Sequence, residues 1–423
     1  MKRGDLKRDG GAKGDLKPDD LKLDDPRIKA LIRDRSLSMC LECGKCSGSC
    51  PRMLTGKEYS PRILAHKLIA EPDSESYIEN SVWECLTCGL CEERCPSGVE
   101  IGGFIREMRT LLAGTKGLKG YRSHDGALHS WMRLMTSPAL EQNRLDWIGP
   151  EPPPAGAAPA RPRPELKVAQ SGPLAFFTGC APYFDVFFSG INVDTLSIAR
   201  DSIRLLNFLD IVPVVMGEER CCGHDLLWTG DRENFETLCR LNYEEFQAAG
   251  VEEVVVSCPE CYQVLGHFMP EVIPDMNLKV TLLSDLLSRE ISKGGVTFKP
   301  LKRRATYQDP CRLGRTAEGC ETPRSLMKMI PGLTFKEMGN SGRSAICCGN
   351  NGFINCDAYS KRIQVERLQE AKATRSDLLI TACPKCMIHL TCAMRDPYRH
   401  GSLSMEIRDL ASVLADQIEW SKE

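Results

Sequence analysis

Cysteine order is the feature that most constrains what this chain can fold into. Two copies of C-x2-C-x2-C-x3-C-P lie between residues 40 and 96. Two copies of a longer frame follow between residues 180 and 386: a single Cys, then Cys-Cys-Gly, then C-P-x-C. All but four of the 22 cysteines fall on these frames. Thiolates at this density are typical of iron–sulfur clusters, so the sequence predicts a protein that handles electrons.

Composition favours metal ligands over disulfides as the use of these cysteines. The chain has 423 residues, 42% hydrophobic and 26% charged, with a net charge of −2, as in an ordinary globular protein. This charge gives no reason to expect a nucleic-acid partner. We find neither an apolar run near the roughly 18–20 residues of a membrane span nor a secretory signal. A cytoplasmic location is therefore expected, and there cysteines are more often ligands than disulfides.

The first part of the chain is predicted to be helical and to lie between two irregular segments. Residues 1–27 alternate basic and acidic side chains, which predicts a disordered charged tail. Apolar residues recur at helical spacing over 28–120, where Ser60-Pro61 is a typical helix start. Residues 121–172 are predicted to be a connector that contains a Pro-rich linker.

From about residue 173 onward, short apolar runs alternate with helical stretches, which predicts α/β units. The expected strands are Leu174–Thr178, Ile211–Met216, Val254–Ser257, Ala305–Gln308, Leu333–Lys336 and Leu378–Thr381. The expected helices are Asp194–Leu209, Asp231–Ala249 and Asp357–Ala373. The cysteines of the second long frame follow those of the first at nearly constant distances, which indicates an internal duplication. Two α/β domains are therefore predicted, at 173–300 and 301–423.

The two short frames predict two cubane [4Fe–4S] clusters that exchange their fourth ligands. In such runs three cysteines hold one cluster and the fourth holds the other. The expected ligand sets are Cys40, Cys43, Cys46 and Cys95 for the first cluster, and Cys85, Cys88, Cys91 and Cys50 for the second. Structural zinc sites are the alternative, because zinc also accepts four thiolates. The spacing and the trailing Pro51 and Pro96 match the cubane pattern better.

Each long frame offers five thiolates, which is one more than a cubane cluster or a zinc ion needs. The two sets are Cys180, Cys221, Cys222, Cys258 and Cys261, and Cys311, Cys347, Cys348, Cys383 and Cys386. Adjacent cysteines reach two iron atoms of an open cluster more easily than two corners of one cube. Gly223 and Gly349 are expected to leave room for backbone to approach a cluster. Several of these cysteines follow predicted strands, where α/β sheets place ligands.

The full order of motifs resembles the heterodisulfide reductase family over about residues 30–423, in the form that joins a two-cluster ferredoxin domain to two CCG domains. The resemblance implies an α plus α/β fold and one or two noncubane [4Fe–4S] clusters in the CCG domains. It also implies a thiol:disulfide oxidoreductase whose catalytic site is formed by the ten cysteines of the long frames. The chain also resembles the catalytic subunit of dissimilatory sulfite-reduction membrane complexes.

The same resemblance implies partners. These are a thiol or disulfide substrate, small molecule or protein, and either a membrane cytochrome b-like subunit or a flavin/iron–sulfur subunit, which could hold the chain at the inner face of the cell membrane. The alternative function is a non-catalytic electron relay between a flavoprotein dehydrogenase (of glycolate, lactate or glycerol-3-phosphate type) and a quinone or membrane cytochrome. The glycine fingerprint of a dinucleotide site is missing, so FAD or NAD is not expected in this chain.

Some residues beside the frames have two interpretations. His224 directly follows the first Cys-Cys-Gly and is either a proton donor to a leaving thiolate or a satisfied histidine of the core or surface. Arg312 and Arg315 follow Cys311 and could attract an anionic thiol substrate, although surface ion pairs are the commoner use of such arginines.

Other residues carry weaker predictions. Lys45, Arg52 and Arg94 lie near the short frames, where they form a docking face or are simply solvated. His267 and His389 follow the C-P-x-C turns at different offsets, which disfavours a paired role. The cysteines outside the frames are expected to be small buried apolar residues, and these are Cys239, Cys320, Cys356 and Cys392.

Overall fold

The computed structural model describes residues 24–71, 74–116, 122–142, 144–149, 164–315, 319–350, 352–396 and 403–420. Most of the predicted charged tail and of the Pro-rich linker lies outside the described residues. In the described part, a helical domain is followed by two parallel sheets flanked by helices. A mixture of helices and parallel sheets is therefore present, as the sequence predicts. No helix in these ranges combines the length and the apolar character needed to cross a lipid bilayer.

Short helices build the first domain around an apolar core. They are α1 (Pro26–Asp34), α2 (Lys45–Ser49), α3 (Pro51–Leu54), α4 (Pro61–Ala70), α5 (Glu75–Glu84), α6 (Leu90–Glu93) and α7 (Ile101–Lys116). The hydroxyl of Ser60 accepts a hydrogen bond from the Ile63 amide at 3.3 Å, so the predicted start of α4 is confirmed. Leu64, Val82 and Phe104 bring α4, α5 and α7 together in the core. This packing fixes the loops that carry the short cysteine frames.

The predicted connector contains ordered structure of its own. Helix α8 (Ala127–Leu134) lies within it. Leu128 and Met132 of α8 are buried in the core of the first CCG domain. The nearby Trp147 is buried in a second cluster, which contains residues from both sheets. The described part of the connector therefore belongs to the packing of the CCG domains.

The first CCG domain is a three-stranded parallel sheet with helices around it. Its strands are β1 (Leu174–Phe177), β2 (Glu253–Val256) and β3 (Lys279–Leu282), in the order β1-β2-β3. Its helices are α9 (Ala181–Phe187), α10 (Leu196–Phe208), α11 (His224–Thr229), α12 (Arg232–Ala248), α13 (Pro259–Gln263), α14 (Met269–Val272) and α15 (Leu283–Ile291).

The second CCG domain repeats this arrangement with one further strand. Its strands are β4 (Arg304–Gln308), β5 (Thr334–Phe335), β6 (Leu378–Thr381) and β7 (Glu406–Asp409), all parallel, in the order β5-β4-β6-β7. Its helices are α16 (Cys311–Gly314), α17 (Glu321–Lys328), α18 (Ala358–Ala373), α19 (Pro384–Met394) and α20 (Leu410–Gln417).

One predicted strand is not formed. In the predicted run Ile211–Met216, only Val214 makes isolated bridges, with Ala169 and Ala175. Pro213 has no N–H to donate, so a regular ladder cannot form on the side of Ala169, whose amide donates to the Pro213 carbonyl oxygen. Val214 flanks β1 as β5 flanks β4, so the strand order of the two domains is the same apart from this interruption.

The two CCG domains share apolar packing and bring the ends of their strands close together. One buried cluster contains Phe176 and Val255 from the first sheet and Tyr307 and Ile380 from the second. Helix α20 of the second domain packs on α10 of the first. Cysteines of the long frames follow β1, β2, β4 and β6, at the carboxyl ends of the strands. In open α/β sheets these ends are the usual place for ligands.

Candidate functional site

The loops of the two short frames have the same unusual backbone. In the first, Glu42 and Gly44 have positive φ angles of 50° and 77°. In the second, Thr87 and Gly89 have φ angles of 46° and 76° at the equivalent positions. Two left-handed residues so close together turn the chain sharply before a short helix. The repeated turn gathers the closely spaced cysteines of each frame around one cavity.

The fourth cysteine of each short frame lies with the cysteines of the other frame. We call Cys40, Cys43, Cys46 and Cys95 the first ferredoxin site, and they line a cavity of about 420 Å³. We call Cys50, Cys85, Cys88 and Cys91 the second ferredoxin site, and they line a cavity of about 360 Å³. Cys91 borders both cavities, so the two sites adjoin. The structure thus brings together the same sets of four that the sequence predicts.

The two ferredoxin sites differ in burial. Cys43 is exposed, whereas Cys50 and Cys85 are buried. The first ferredoxin site therefore faces solvent, and the second faces the rest of the protein. Backbone amides donate to sulfur in both sites, from Thr87 to Cys85 Sγ at 3.2 Å and from Val99 to Cys95 Sγ at 3.4 Å.

The cysteines of the first long frame surround a pocket between the two CCG domains. We call Cys180, Cys221, Cys222, Cys258 and Cys261 the first CCG site, and all five line a cavity of about 450 Å³. Cys180 Sγ lies 3.0 Å from Cys221 Sγ. The wall includes Phe184 from the first domain and Pro384 and Lys385 from the second. This pocket is therefore completed only when the two domains are together.

The cysteines of the second long frame are more buried than those of the first. We call Cys311, Cys347, Cys348, Cys383 and Cys386 the second CCG site, and all five belong to one apolar cluster or pack against it. Four of them are buried and Cys311 is partly exposed. Cys348 Sγ lies 3.4 Å from Nδ1 of His389, a contact that the sequence analysis missed. The helical spacing of three residues between Cys386 and His389 could have indicated it.

Sulfur atoms link the sites across domain boundaries. The thiols of Cys258 and Cys383, which occupy equivalent positions in the two repeats, lie within hydrogen-bonding range of each other. Cys88 of the second ferredoxin site and Cys311 of the second CCG site pack against the same apolar cluster and interact electrostatically. The sites therefore follow one another in the order first ferredoxin, second ferredoxin, second CCG and first CCG.

These donor sets fit iron–sulfur clusters. Each site offers four or five thiol sulfurs, which are the ligands that iron–sulfur clusters use. Burial raises the pKa of Cys50 to about 12. Coordination to a metal such as iron would hold a buried thiol of this kind as a thiolate. The N–H···S bonds described above are of the type that tunes cluster potentials.

Buried charges join the two CCG domains beside these sulfurs. Lys385, between Cys383 and Cys386, donates to Glu260 Oε2 at 2.6 Å and also to Asp225. All three side chains are buried. Although burial opposes it, Asp225 and Glu260 raise the pKa of Lys385 well above its usual range. The ammonium group is therefore charged and lies at the wall of the pocket of the first CCG site.

His224 is fully engaged within this network. Its Nδ1 donates to Asp225 Oδ1 at 2.8 Å, and its Nε2 accepts from Arg312 Nε at 3.2 Å. Burial lowers the pKa of His224 to about 3, so the ring is neutral near pH 7. With both nitrogens occupied, the ring has no free proton for a leaving thiolate. This geometry favours the interpretation of His224 as a satisfied core histidine.

The two glycines after the paired cysteines are needed for helix packing. Gly223 and Gly349 have φ angles of 81° and 90°. A Cβ at Gly223 would lie 2.9 Å from Phe235 Cδ2, and one at Gly349 would lie 2.7 Å from the Ser360 carbonyl oxygen. The space beside each glycine is thus filled by protein, and not left for a cluster as we expected from the sequence.

The basic residues near the frames have structural roles that the sequence did not reveal. Arg52, considered as a solvated or docking residue, is completely buried and pairs with Glu84 and with Asp357 at 2.8 Å. Arg312 and Arg315 bind main-chain carbonyls of the loop at residues 87–88. The contacts described for these two arginines therefore hold a loop, in place of the surface ion pairs that we expected.

The remaining weaker predictions have mixed outcomes. Arg94 donates to Ser344 Oγ at 2.9 Å, and Lys45 is exposed. The ring of His267 lies beside that of Tyr262. Cys239 is buried in the core, as predicted. The prediction is not met by the other three cysteines outside the frames, which are partly exposed: Cys320, Cys356 and Cys392.

Comparisons with known proteins assign both parts of the chain to described domain families. Residues 174–266 and 305–391 match the cysteine-rich domain CCG. Residues 36–99 match the 4Fe-4S dicluster domain. Each CCG match contains the cysteines of one long frame, and the dicluster match contains both short frames.

Relatives of known name are similar over nearly the whole chain. The D subunit of the dihydromethanophenazine:CoB–CoM heterodisulfide reductase of Methanosarcina acetivorans is 27% identical over 430 residues, which cover 94% of this chain and 98% of that one. The probable glycolate oxidase iron–sulfur subunit of Bacillus subtilis is 26% identical over 407 residues, which cover 86% of this chain and 90% of that one. A crystal structure of a hypothetical protein from Helicobacter pylori has a TM-score of 0.55 at 11% identity, covering 92% of this chain and 76% of that one. This last likeness concerns the fold alone.

Proposed function

We propose that this chain, a heterodisulfide reductase-like iron–sulfur protein of the D-subunit type with CCG domains, reduces or forms a disulfide at its two CCG sites. Its general activity is that of an iron–sulfur oxidoreductase subunit, and its cofactors are cubane and noncubane [4Fe–4S] clusters. The observation that carries the proposal is the contact between the two CCG sites, where Cys258 and Cys383 meet beside a pocket lined by both domains.

The ligand assignment follows the four sites. We assign the first and second ferredoxin sites to one cubane cluster each, because each places four cysteines on one cavity. We assign the first CCG site to a noncubane cluster, because its five cysteines line one cavity. The second CCG site, whose five thiols share one apolar cluster, is assigned to another. Bound iron of this kind holds sulfur ligands and exchanges one electron at a time.

The order of the sites supports a single route for electrons. Clusters held at these sites would supply one-electron transfer, and the exposed Cys43 places the first ferredoxin site where a partner would deliver electrons. Cys88 and Cys311 would join the second ferredoxin site to the second CCG site, and Cys258 and Cys383 would join the two CCG sites. Reduction of a disulfide R–S–S–R′ consumes two such electrons and two protons, breaks the S–S bond and yields R–SH and R′–SH. The reverse reaction releases them.

Residues of this chain prepare the pocket for sulfur chemistry. Lys385, Asp225 and Glu260 line the pocket together, and the ammonium group of Lys385 offsets the negative charge of these two carboxylates beside the sulfurs. Phe184 and Pro384 give the wall an apolar face that excludes water. His224 hydrogen-bonds to Asp225, which in turn forms an ion pair with Lys385. We therefore assign His224 the role of positioning these two side chains.

The test removes one cysteine from each CCG site. Cys222→Ala and Cys348→Ala are each expected to lower disulfide reduction by more than about tenfold and to lower the iron content per chain, since metal sites tolerate lost ligands poorly. Cys239→Ala is the matched control, because Cys239 is equally buried but lies outside every site. Activity would be measured anaerobically with a reduced viologen dye as electron donor and several low-molecular-weight disulfides as acceptors. If both variants keep full activity, disulfide chemistry at the CCG sites is excluded.

An electron relay is the second candidate function. It is supported by the similarity to the glycolate oxidase iron–sulfur subunit over 86% of this chain. A relay predicts no change in the electronic or magnetic spectra when thiols are added to the oxidised protein. A disulfide reductase predicts that thiols alter the spectra of the CCG sites, and that Cys222→Ala or Cys348→Ala abolishes this change while Cys239→Ala does not.

Partners are proposed for the exposed end of the ferredoxin domain. The relatives are subunits of larger enzymes, which supports a hetero-oligomer. Beside the exposed Cys43, the apolar side chains of Met39 and Leu41 are 61% and 70% exposed. We propose that this end binds a cytochrome b-like or a flavin/iron–sulfur subunit, and that a cytochrome partner would hold the chain at the inner face of the membrane.

A further inference from the structure

Arg312 binds a cysteine-bearing segment from each of the other two domains. Its Nη1 donates to the Thr87 carbonyl oxygen at 2.8 Å, and its Nη2 donates to Thr87 Oγ1 at 3.1 Å. Its Nε donates to His224 Nε2 at 3.2 Å. Thr87 lies between two cysteines of the second ferredoxin site, His224 follows the paired cysteines of the first CCG site, and Arg312 itself follows Cys311. One guanidinium group therefore connects three cysteine-bearing segments.

The guanidinium group is held firmly in this position. Arg312 is only 4% exposed, and its Cζ lies 3.9 Å from the ring centroid of Trp228. Trp228 belongs to α11, as His224 does. Arg109 of α7 ties the same helix to the ferredoxin domain, because it donates to the carbonyl oxygens of Trp228 at 2.8 Å and Cys85 at 2.7 Å. A planar fork that stacks and donates in several directions is a property of Arg that Lys cannot reproduce.

Arg315 supports the same loop one helical turn further on. Its Nε donates to the Cys88 carbonyl oxygen at 2.7 Å, and its Nη1 donates to the Ala345 carbonyl oxygen at 2.8 Å. Ala345 precedes the paired cysteines of the second CCG site by two residues. The backbone of Thr87 is left-handed, with a φ of 46°, and such a conformation persists only where its surroundings hold it. The two arginines supply that support.

We propose that Arg312 is a positioning residue that sets the separation between the second ferredoxin site and the second CCG site. In the step concerned, one electron leaves the former, which is oxidised, and enters the latter, which is reduced; no bond is made or broken. Arg312 acts through the loops that it binds and does not contact the substrate. The inference rests on the proposed function, because it requires both sites to carry electrons.

The experiment measures this step directly in the full-length protein. The ferredoxin sites are reduced rapidly with photoreduced dye under anaerobic conditions, and reduction of the CCG sites is followed by freeze-quench EPR. In Arg312→Gln we expect the rate to fall by about tenfold or more, since displacements near 1 Å of reacting groups carry costs of this order. Arg312→Lys is expected to recover only part of the rate, because it restores the charge and not the fork.

Arg343→Gln is the matched control. Arg343 pairs with Glu93 at 2.6 Å across the same domain boundary, but its side chain is 57% exposed. We expect its loss to leave the rate unchanged, because exposed ion pairs contribute little. Iron content and thermal unfolding are measured for every variant, so that a loss of sites is separated from a change in rate.

Each outcome bears on one proposal. If wild-type protein lacks iron at the CCG sites, the proposed function fails. If it carries iron at all sites, and Arg312→Gln has the wild-type rate with full iron content, the positioning role of Arg312 is overturned while the proposed function stands. Should Arg312→Gln fail to fold, Arg312→Lys decides: a wild-type rate overturns the proposal, and a lowered rate with full iron content supports it.

Discussion

The two CCG domains share a cysteine frame and a strand order, yet they differ in the residues beside the sulfurs. Within C-P-x-C the first domain has Glu260 and the second has Lys385. The first has a pocket between the domains, lined by all its cysteines, whereas Cys311 of the second adjoins the ferredoxin domain. The comparison indicates that duplication supplied two equivalent sets of cysteines, and that the residues around them then diverged.

Equivalent residues of the two domains meet at their boundary. Cys258 contacts its counterpart Cys383, and Glu260 forms an ion pair with its counterpart Lys385. Contact between equivalent positions is the pattern of a two-fold arrangement. In a symmetric pair, position 260 and its counterpart would carry like charges and repel each other. The opposite charges of Glu260 and Lys385 therefore favour pairing of the first domain with the second over pairing of two identical domains.

The largest expected effect comes from removing the positive charge of Lys385. Lys385→Met leaves the buried carboxylate of Asp225 without its cation, and is expected to lower the free energy of unfolding by about 3–5 kcal/mol. Glu260→Gln should cost less, because Lys385 keeps Asp225 as its partner. Denaturation with guanidinium chloride under anaerobic conditions measures both changes.

Lys372→Met is the control for this comparison, because Lys372 is exposed on α18 and donates only to the Ser404 carbonyl oxygen among its described contacts. Its effect should be within about 0.5 kcal/mol, as for most surface substitutions. A cost for Lys385→Met no larger than that of Lys372→Met would mean that the boundary charges do not stabilise the pairing of the domains.

The cysteine sets could be predicted from the sequence because their chemistry is encoded in local spacing. Three ligands of each ferredoxin site lie within seven residues, and the exchange of the fourth follows from the motif. Strands β1 and β2 could also be predicted from the sequence, because their apolar runs are continuous and buried. Strands β3 and β7 were missed, because they are edge strands whose burial is incomplete and whose sequences, KVTL and EIRD, contain charges.

The contacts between domains could not be predicted in this way. Arg312 is 88 residues from His224 and 225 residues from Thr87, and no periodicity relates such distant positions. Arg52 is a charged residue next to a cluster motif, so the sequence predicted a solvent-exposed side chain. In the structure Arg52 is buried and forms an ion pair. The opposite charges of Glu260 and Lys385 at equivalent positions of the two repeats are a signal in the sequence that the sequence analysis did not use.

The glycines of the two frames provide a finer comparison. A Cβ at Gly349 would meet a backbone oxygen, whereas a Cβ at Gly223 would meet the side-chain ring of Phe235, which can shift more easily than the backbone. We expect Gly349→Ala to lower the free energy of unfolding by about 3 kcal/mol and Gly223→Ala by about 1–2 kcal/mol. Denaturation of the two variants, with iron content measured in parallel, checks the order; equal or reversed costs would contradict the steric explanation.

Asp409 makes the two domains differ in the pH dependence of stability. It occupies the position in β7 that Leu282 has in β3, and burial raises its pKa to about 7. An unfolded Asp has a pKa near 3.9. Between about pH 4 and 7 the folded chain therefore holds a proton that the unfolded chain has released, so stability falls as the pH rises through this range, by at most about 1.4 kcal/mol per pH unit.

Asp409→Asn should remove this part of the slope in denaturation experiments from pH 4.5 to 8. Asp377→Asn is the control: although burial opposes it, the hydrogen bond from Arg303 lowers the pKa of Asp377, so its titration lies below that range. If Asp409→Asn keeps the wild-type slope, the pKa of Asp409 is not raised in the folded protein, and this difference in pH dependence between the two domains is absent.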